Sequence, residues 1–214
     1  RMDDSVQPRS ASGLRLRRLR VERVDGAPAD LQGIDYVLLE QIGAGGMGVV
    51  YEARQASVGR LVAVKLLHGR HAEDAAARER FLAEALVTAS LEHPCIVPVH
   101  ELGESLQGLP FYVMKRVAGE RWSDVITRRT REENLSTLLR VCEAAAFAHS
   151  RDVVHRDLKP GNVMLGPFGE LYVMDWGLAG RLVRREGYER VDEPDRLVGT
   201  PRYMSPEQAR GEAR

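Results

Sequence analysis

Apolar and polar residues along the first half of the chain follow a pattern that predicts an antiparallel sheet with one helix. Five short runs are rich in β-branched and aromatic residues, which favour strands. The predicted strands cover residues 36–42, 49–53, 61–67, 96–103 and 111–117. Residues 73–91 instead repeat apolar positions every three to four residues, which predicts a helix that ends before Pro94.

The chain after residue 117 is predicted to be mainly helical. Residues 135–150 carry apolar residues at helical spacing, so we expect one helix with an apolar face. The residues on this face are Leu135, Leu138, Leu139, Cys142, Ala145, Ala146 and His149. Two short apolar runs, residues 163–165 and 171–174, flank Gly166 and Gly169 and predict a hairpin after the helix. The predicted fold class is therefore α+β.

Residues 1–33 form a basic segment with few large apolar side chains. Its arginines include Arg9, Arg15, Arg17, Arg18, Arg20 and Arg23. A segment of this composition buries too little apolar surface to offset the entropy of ordering, so it is predicted to be a disordered tail. A basic docking arm is the alternative. Four apolar residues would form its short patch, namely Leu14, Leu16, Leu19 and Val21.

Composition argues against several classes of protein. The formal net charge of the 214 residues is zero, so no excess charge indicates binding to nucleic acid or to an anionic membrane. Only two cysteines occur, Cys95 and Cys142, and no His/Cys cluster has zinc spacing, so neither a disulfide framework nor a transition-metal site is predicted. No apolar run approaches the roughly 20 residues that span a bilayer. We expect a cytoplasmic protein, either free or as the cytosolic part of a larger, membrane-anchored one.

The polar residues that follow the long predicted helix carry the candidate chemistry. Residues 155–162 read H-R-D-L-K-P-G-N, and a D-W-G triplet begins at Asp175. Phosphoryl transfer needs a carboxylate to orient the attacking hydroxyl, a cation near the moving phosphate, and oxygen ligands for Mg²⁺. Asp157 suits the first role, Lys159 suits the second, and Asn162 with Asp175 suits the third.

This string resembles the catalytic loop of the eukaryotic-type protein kinase family. The resemblance implies a two-lobed fold, with a five-stranded antiparallel small lobe over residues 34–117 and an incomplete, mainly helical large lobe over residues 118–214. It also implies Mg²⁺-dependent transfer of the γ-phosphoryl group of ATP to a hydroxyl of a protein substrate. Lys159 and the stretch G-T-P-R-Y-M-S-P-E at residues 199–207 resemble the serine/threonine branch. The phrases H-P-C-I-V-P-V-H and D-W-G-L-A resemble bacterial members.

The turn between the first two predicted strands is rich in glycine. Residues 43–48 read G-A-G-G-M-G, and a strand follows directly, whereas a dinucleotide-binding fold would open a helix there. Glycine lets backbone N–H groups approach phosphate oxygens without an intervening Cβ, although an ordinary flexible hairpin would also use it. By resemblance, the residues that bind ATP are Ile42, Gly43, Ala44, Gly45, Gly46, Met47, Gly48, Val50, Ala63, Lys65, Met114, Lys115 and Val117.

Two parts of this predicted site combine the resemblance with a physical argument. Lys65 would bind the α- and β-phosphates, and the Glu84 carboxylate, within the apolar face of the predicted helix, needs a cation to offset its burial. We choose Glu84 over Glu79, since Glu79 lies near the helix start, where the dipole stabilises it. Met114 would guard the back of the adenine pocket, with a core-filling methionine as the alternative, and Lys115 would begin the hinge.

Residues 178–199 contain no serine or threonine, so we expect acidic side chains to take the place of a phosphate beside Arg156. The candidates are Glu189, Asp192, Glu193 and Asp195. Thr200, by resemblance, bonds to Asp157 and Lys159. The family's large lobe extends well past Glu207, so this stretch alone is expected to be weakly active or inactive. A nucleotide-binding module without catalysis and a small-molecule kinase are the competing functions.

Overall fold

The fold is built on a sheet in the first half of the chain. The computed structural model describes residues 16–23, 35–181 and 199–211. In the described residues this sheet has seven strands in the order β1-β6-β7-β5-β4-β3-β2. The strands are β1 (Arg17–Arg18), β2 (Val21–Arg23), β3 (Tyr36–Ala44), β4 (Gly48–Gln55), β5 (Leu61–Leu67), β6 (Val99–Glu104) and β7 (Pro110–Lys115).

The five predicted antiparallel strands are confirmed, with shifted ends. Strands β3 to β7 pair antiparallel throughout, in the order β6-β7-β5-β4-β3. Strand β6 begins at Val99 rather than at residue 96, and Ile96 forms an isolated bridge with Val173 instead. Strand β7 ends at Lys115, two residues before the predicted end, because the chain leaves the sheet there.

The sheet has two different faces, which alternate along β5 as the period of a strand requires. Val62 and Val64 point to an outer face, where they pack in one apolar cluster with Phe111 and Val113. Ala63 belongs to a second cluster, on the inner face. The inner face contributes the walls of the candidate nucleotide site.

Helix α1 (Ala75–Ser90) packs against the inner face of the sheet, close to the predicted bounds. Asp74 caps its N-terminus by accepting a hydrogen bond from the amide of Ala77 at 3.0 Å, which satisfies one of the free donors of the first turn. Phe81 and Ala85 bury their side chains in the inner cluster. The helix therefore carries Glu84, which lies between them, into the interior.

The predicted disordered tail is wrong for residues 16–23. Strand β1 pairs parallel with β6, and β2 pairs parallel with β3, so this segment adds a strand to each edge of the antiparallel sheet. The reason is Leu19, which lies between the two strands, is 1% exposed and packs in the outer cluster. One well-placed leucine thus orders a segment whose overall composition indicates disorder. The rest of the predicted tail lies outside the described residues.

The second half of the described chain contains short strands and three helices. Its elements are β8 (Glu120–Arg121), α2 (Trp122–Val125), α3 (Arg131–Ser150), β9 (Val153–Val154), β10 (Val163–Leu165), β11 (Leu171–Val173), β12 (Gly180–Arg181) and α4 (Pro206–Ala209). The predicted hairpin is present as β10 and β11, with Gly169 in the left-handed region at φ 76°. Helix α3 begins four residues before its predicted start, at a capping box of Thr130 and Glu133.

The leucine-rich face of α3 is not its buried face. Leu135, Leu138 and Leu139 are 48%, 45% and 65% exposed. The buried residues of α3 are Thr137, Val141, Ala144 and Ala148. Small side chains lie on the buried face because β9 and β11 approach it. The predicted buried face, which was chosen because it carries the leucines, is therefore wrong.

The core of this second half is a third apolar cluster. Trp122, Val141 and Trp176 all belong to it, and Trp176 is 1% exposed. Cys95 is buried and Cys142 is exposed, and both are free thiols. Among the described residues, no helix combines the length and apolar character needed to cross a bilayer.

Candidate active site

The loop at residues 155–162 lies between strands β9 and β10, and its backbone is strained at Arg156. Arg156 has φ 65°, in the left-handed region that residues other than glycine rarely adopt, and Asp152 and Asp175 have φ 60° and 62°. Such conformations cost free energy and persist where surrounding contacts enforce them. Arg156 adjoins the predicted catalytic Asp157, and Asp175 is itself a predicted metal-binding residue.

Three side chains hold the Asp157 carboxylate. Lys159 Nζ donates to Oδ2 at 2.6 Å, and Thr200 Oγ1 donates to Oδ1 at 2.7 Å. Lys159 also donates to Thr200 Oγ1 at 2.6 Å, which closes a triangle of three polar groups. Asn162 Nδ2 lies 3.2 Å from Oδ2. The structure thus brings together four of the predicted catalytic and metal-binding residues.

These contacts set the ionisation of Asp157. Burial by itself would raise the pKa of this carboxyl group, but the hydrogen bonds from Lys159 and Thr200, the charge of Lys159 and the Asn162 amide outweigh it. The pKa of Asp157 is consequently lowered from its ordinary value of 3.8. Asp157 is a carboxylate, and an acceptor only, at neutral pH.

The Asn162 side chain is turned so that its carbonyl oxygen remains available. Its Nδ2 donates to the Asp157 carbonyl at 2.9 Å as well as to the Asp157 carboxylate, which uses both amide hydrogens. No donor to Asn162 Oδ1 occurs among the described residues. Asp175 is exposed. These two oxygen donors fit Mg²⁺, which takes one or two protein ligands and completes its shell with water and phosphate oxygens.

Lys65 and Glu84 form the predicted ion pair across the inner face. Lys65 Nζ lies 2.5 Å from Glu84 Oε1, and the Glu84 side chain is 2% exposed. The structure records no contact between Lys65 and Asp175 within the ranges that it describes. Lys65 therefore faces the site from a position that Glu84 fixes.

A third residue of this pair was missed from the sequence. Tyr112 donates its hydroxyl to the same Glu84 oxygen at 2.7 Å. Burial, followed by the Glu84 charge and hydrogen bond, raises the pKa of Tyr112 well above 10.0, so the hydroxyl keeps its proton. The signal in the sequence was a tyrosine two residues before Met114, on the same face of β7. The register places it directly opposite Lys65.

The D-W-G triplet contacts both the ion pair and the loop. A Cβ added at Gly177 would lie 2.8 Å from Glu84 Oε2, so a side chain there would displace the carboxylate. Trp176 packs its ring on that of His155, with 4.6 Å between centroids.

The sequence assigned no role to His155. Its Nδ1 accepts from the Asp157 amide at 3.3 Å and its Nε2 donates to the Met174 carbonyl at 2.9 Å, which ties the loop to the strand before Asp175.

The neutral form of His155 suits these two hydrogen bonds. Burial, only partly offset by the Met174 carbonyl, lowers the pKa of His155. A neutral imidazole has one donor and one acceptor nitrogen, and both are used here. His155 is therefore a positioning residue of the loop.

The predicted adenine contacts meet in the inner cluster, with one exception. Ala63 and Met114 belong to the cluster, and Val50 and Val117 pack against it. Ile42 is 45% exposed and lies outside it. Among the described residues, no hydrogen-bond acceptor contacts the Val117 N–H, so this hinge donor remains available.

The two charged residues of the predicted hinge contact opposite halves of the chain. Lys115 Nζ donates to the Tyr172 hydroxyl of β11 at 2.6 Å, and Arg116 forms an ion pair with Glu52 of β4. Lys115 thus contacts the second half of the chain through its side chain.

Packing requires glycine at only some positions of the loop at residues 43–48. A Cβ at Gly48 would lie 2.3 Å from the Leu66 carbonyl oxygen, so packing alone demands glycine there. A Cβ at Gly45 or Gly46 would meet nothing within 4 Å. No neighbour in the described protein therefore explains those two glycines.

The segment that contains Thr200 packs against the loop at residues 155–162. Gly199, at φ 124°, brings the chain so near that an added Cβ would lie 3.0 Å from the Arg156 carbonyl oxygen. Gln208 Nε2 donates to that same carbonyl at 2.8 Å. The acidic residues predicted to act beside Arg156 lie outside the described residues.

Comparison with known proteins identifies the family. The profile described as "Protein kinase domain" matches residues 36–213, so the chain belongs to the protein kinase domain family. The prediction of a kinase fold with bacterial relatives is confirmed.

Three curated relatives are bacterial kinases. "Probable serine/threonine-protein kinase PknB" of Corynebacterium glutamicum is 38% identical over 82% of the chain and 28% of its own length. Serine/threonine-protein kinase PknD of Chlamydia muridarum is 35% identical over 82% of the chain and 22% of its own length. Serine/threonine-protein kinase PknA of Mycobacterium tuberculosis is 38% identical over 82% of the chain and 42% of its own length. The chain thus spans well under half of each relative.

Proposed function

We propose that this protein transfers the γ-phosphoryl group of ATP, with Mg²⁺, to serine or threonine hydroxyls of protein substrates. The observation that carries the proposal is the Asp157 carboxylate, held by Lys159, Thr200 and Asn162 with a lowered pKa. A carboxylate ionised at neutral pH can orient a substrate hydroxyl and accept its proton. The names of the curated relatives support serine and threonine as the residues that accept the phosphoryl group.

Each residue of the candidate site has a separate role in the proposed reaction. Lys159, bonded to Asp157, lies where a cation would offset charge on the moving phosphoryl group. Lys65, oriented by Glu84, would bind the phosphates that remain with the nucleotide, and the amides of Gly45, Gly46 and Met47 would cover them. Asn162 and Asp175 would hold Mg²⁺, which supplies charge neutralisation when it is bound.

The inner cluster supports the adenine part of the proposal. Val50, Ala63, Met114 and Val117 offer an apolar slot, and the Val117 N–H offers a donor to the edge of the ring. Ile42 would cover the open side of the slot, where its exposure leaves room for a ligand. The cytoplasm, where ATP and Mg²⁺ occur together, is the proposed compartment.

A nucleotide-binding module without catalysis is the second candidate, and one experiment separates the two. Binding of ATP is measured by calorimetry with and without Mg²⁺, and transfer of labelled phosphate to a serine- and threonine-containing protein is measured in parallel, both on the protein extended through the rest of the large lobe. We expect Asp157→Asn to bind ATP within about threefold of wild type and to lose at least about 10²-fold in transfer rate. Equal transfer rates in both proteins would support the binding module. Absence of ATP binding in the wild type would contradict both functions.

A further inference from the structure

Three basic side chains after strand β5 lie against the glycine-rich loop. The segment His68-Gly69-Arg70-His71 leaves the strand through a single 3₁₀ turn and leads to the Asp74 cap of helix α1. No sequence pattern predicts a role for this segment. Its position between the candidate phosphate loop and the helix that carries Glu84 calls for a physical explanation.

Two of the side chains bind carbonyl oxygens of the loop. His68 Nε2 lies 2.9 Å from the Gly45 carbonyl oxygen, and because a carbonyl only accepts, Nε2 donates. Arg70 Nη2 donates to the Gly46 carbonyl at 2.9 Å. The His68 amide also donates to the Met47 carbonyl at 3.0 Å. Three consecutive loop carbonyls are therefore held by the residues after β5.

His71 supports Arg70 rather than the loop itself. Arg70 Nε donates to His71 Nε2 at 3.3 Å, and an arginine nitrogen never accepts, so Nε2 is the acceptor there. The same neutral nitrogen cannot also donate to the Gly46 carbonyl, which lies 3.3 Å away. Asp74, 4.0 Å from His71 Nδ1, favours the proton on that other nitrogen. His71 thus orients the guanidinium that holds Gly46.

The two carbonyls point toward the segment that binds them. His68 follows the last residue of β5 in an extended conformation at ψ 137°, and the chain then turns toward helix α1. The carbonyls of Gly45 and Gly46 accordingly point toward residues 68–71.

The direction of the carbonyls fixes the direction of the neighbouring amides. In a trans peptide, C=O and N–H point in opposite directions. Because the carbonyls of Gly45 and Gly46 point toward residues 68–71, the N–H groups of Gly46 and Met47 point away from that segment. Among the described residues, none accepts a hydrogen bond from these two N–H groups. An added Cβ at Gly46 would meet no protein atom within 4 Å, which leaves the approach to them open.

We propose that His68 and Arg70, with His71 behind Arg70, form a latch that turns the loop amides of Gly46 and Met47 away from residues 68–71, where they bind the phosphates of the nucleotide. These are positioning residues, since they act on the nucleotide through the loop backbone. The proposal rests on the proposed ATP site. It makes the ordering of the loop a property of the protein itself, before any nucleotide binds.

The test compares the double variant His68→Ala/Arg70→Ala with wild type, with Arg60→Ala as the matched control. Arg60 is an exposed arginine in the turn before β5, and among the described residues its side chain donates a hydrogen bond only to Gln55. We expect the double variant to bind ATP and ADP about tenfold more weakly while adenosine affinity changes less than about twofold, because adenosine has no phosphate. Arg60→Ala should match wild type for all three ligands. An equal loss for adenosine would overturn the latch, since it would mean a general disturbance of the site.

A second measurement needs no nucleotide. Backbone ¹⁵N order parameters of Gly46 and Met47 are expected to be near those of the sheet in wild type and to fall below about 0.6 in the double variant. Unchanged order parameters would refute the latch even if ATP affinity fell. If the wild type does not bind ATP but the double variant still shows this loss of order, the proposed function is refuted, whereas the ordering of the loop by His68 and Arg70 is confirmed.

Discussion

Two carboxylates in this molecule are each held by one lysine and one hydroxyl, yet they differ in how much remains open. Glu84 receives Lys65 and Tyr112 on the same oxygen, and its other oxygen lies against Gly177. Asp157 receives Thr200 on one oxygen and Lys159 on the other. The Glu84 side chain is 2% exposed, and the Asp157 side chain is 9% exposed.

The difference separates an enclosed carboxylate from one that stays partly accessible. Glu84 joins a helix to two strands, and every approach to its carboxylate is already occupied by protein. Asp157 lies in a strained loop whose partners leave part of its carboxylate accessible to a substrate. The same donor types therefore produce rigidity in the small lobe and an available acceptor in the large lobe.

The largest expected effect on stability comes from removing the negative charge of Glu84 in the small lobe. Glu84→Gln leaves the Lys65 ammonium beside a neutral partner in the interior, and we expect the free energy of unfolding to fall by about 3 kcal/mol. Asp157→Asn should cost less than about 1 kcal/mol, because the more exposed Lys159 can turn to solvent. Urea unfolding measures both. The control is Glu79→Gln, an exposed glutamate of the same helix, and equal losses in all three variants would contradict the distinction.

A smaller effect is expected when the large-lobe hydroxyl is removed. Thr200→Val keeps the shape of the side chain but deletes the hydrogen bonds to Asp157 and from Lys159, and we expect the transfer rate to fall about tenfold. Thr200→Ser retains the hydroxyl and should stay within about threefold of wild type. Steady-state kinetics with varied ATP show whether kcat rather than KM changes. Thr200→Ser as slow as Thr200→Val would mean that the methyl group, not the hydroxyl, matters.

The smallest expected effect is the contribution of Asp157 to the dependence of stability on pH. Its pKa is lowered in the folded protein, so it stabilises the fold above its ordinary value of 3.8, and this contribution is lost as the pH falls through the lowered folded value. Stability should therefore drop less on acidification in Asp157→Asn than in wild type. Identical slopes of unfolding free energy against pH below 3.8 would contradict the prediction.

Part of the fold was predictable because it depends on local pattern. The strands of the sheet follow β-branched and aromatic runs, and α1 follows its apolar period, so both were placed within a few residues. The burial of Leu19 and the exposed leucine face of α3 were not predictable. Each depends on which distant element approaches, and no local pattern carries that information.

The candidate site shows the same division. Spacing and residue type predicted Asp157, Lys159, Asn162 and Asp175 as one group, and the structure joins the first three by hydrogen bonds. The physical cost of burying a lone carboxylate pointed to Glu84 as the partner of Lys65. Only the tertiary structure decided that Tyr112 completes this pair, that His155 ties the loop to Met174, and that His68 and Arg70 hold the carbonyls of Gly45 and Gly46. These contacts join residues from different elements through the exact direction of a hydroxyl, a ring nitrogen or a guanidinium, and that direction is set by packing rather than by sequence spacing.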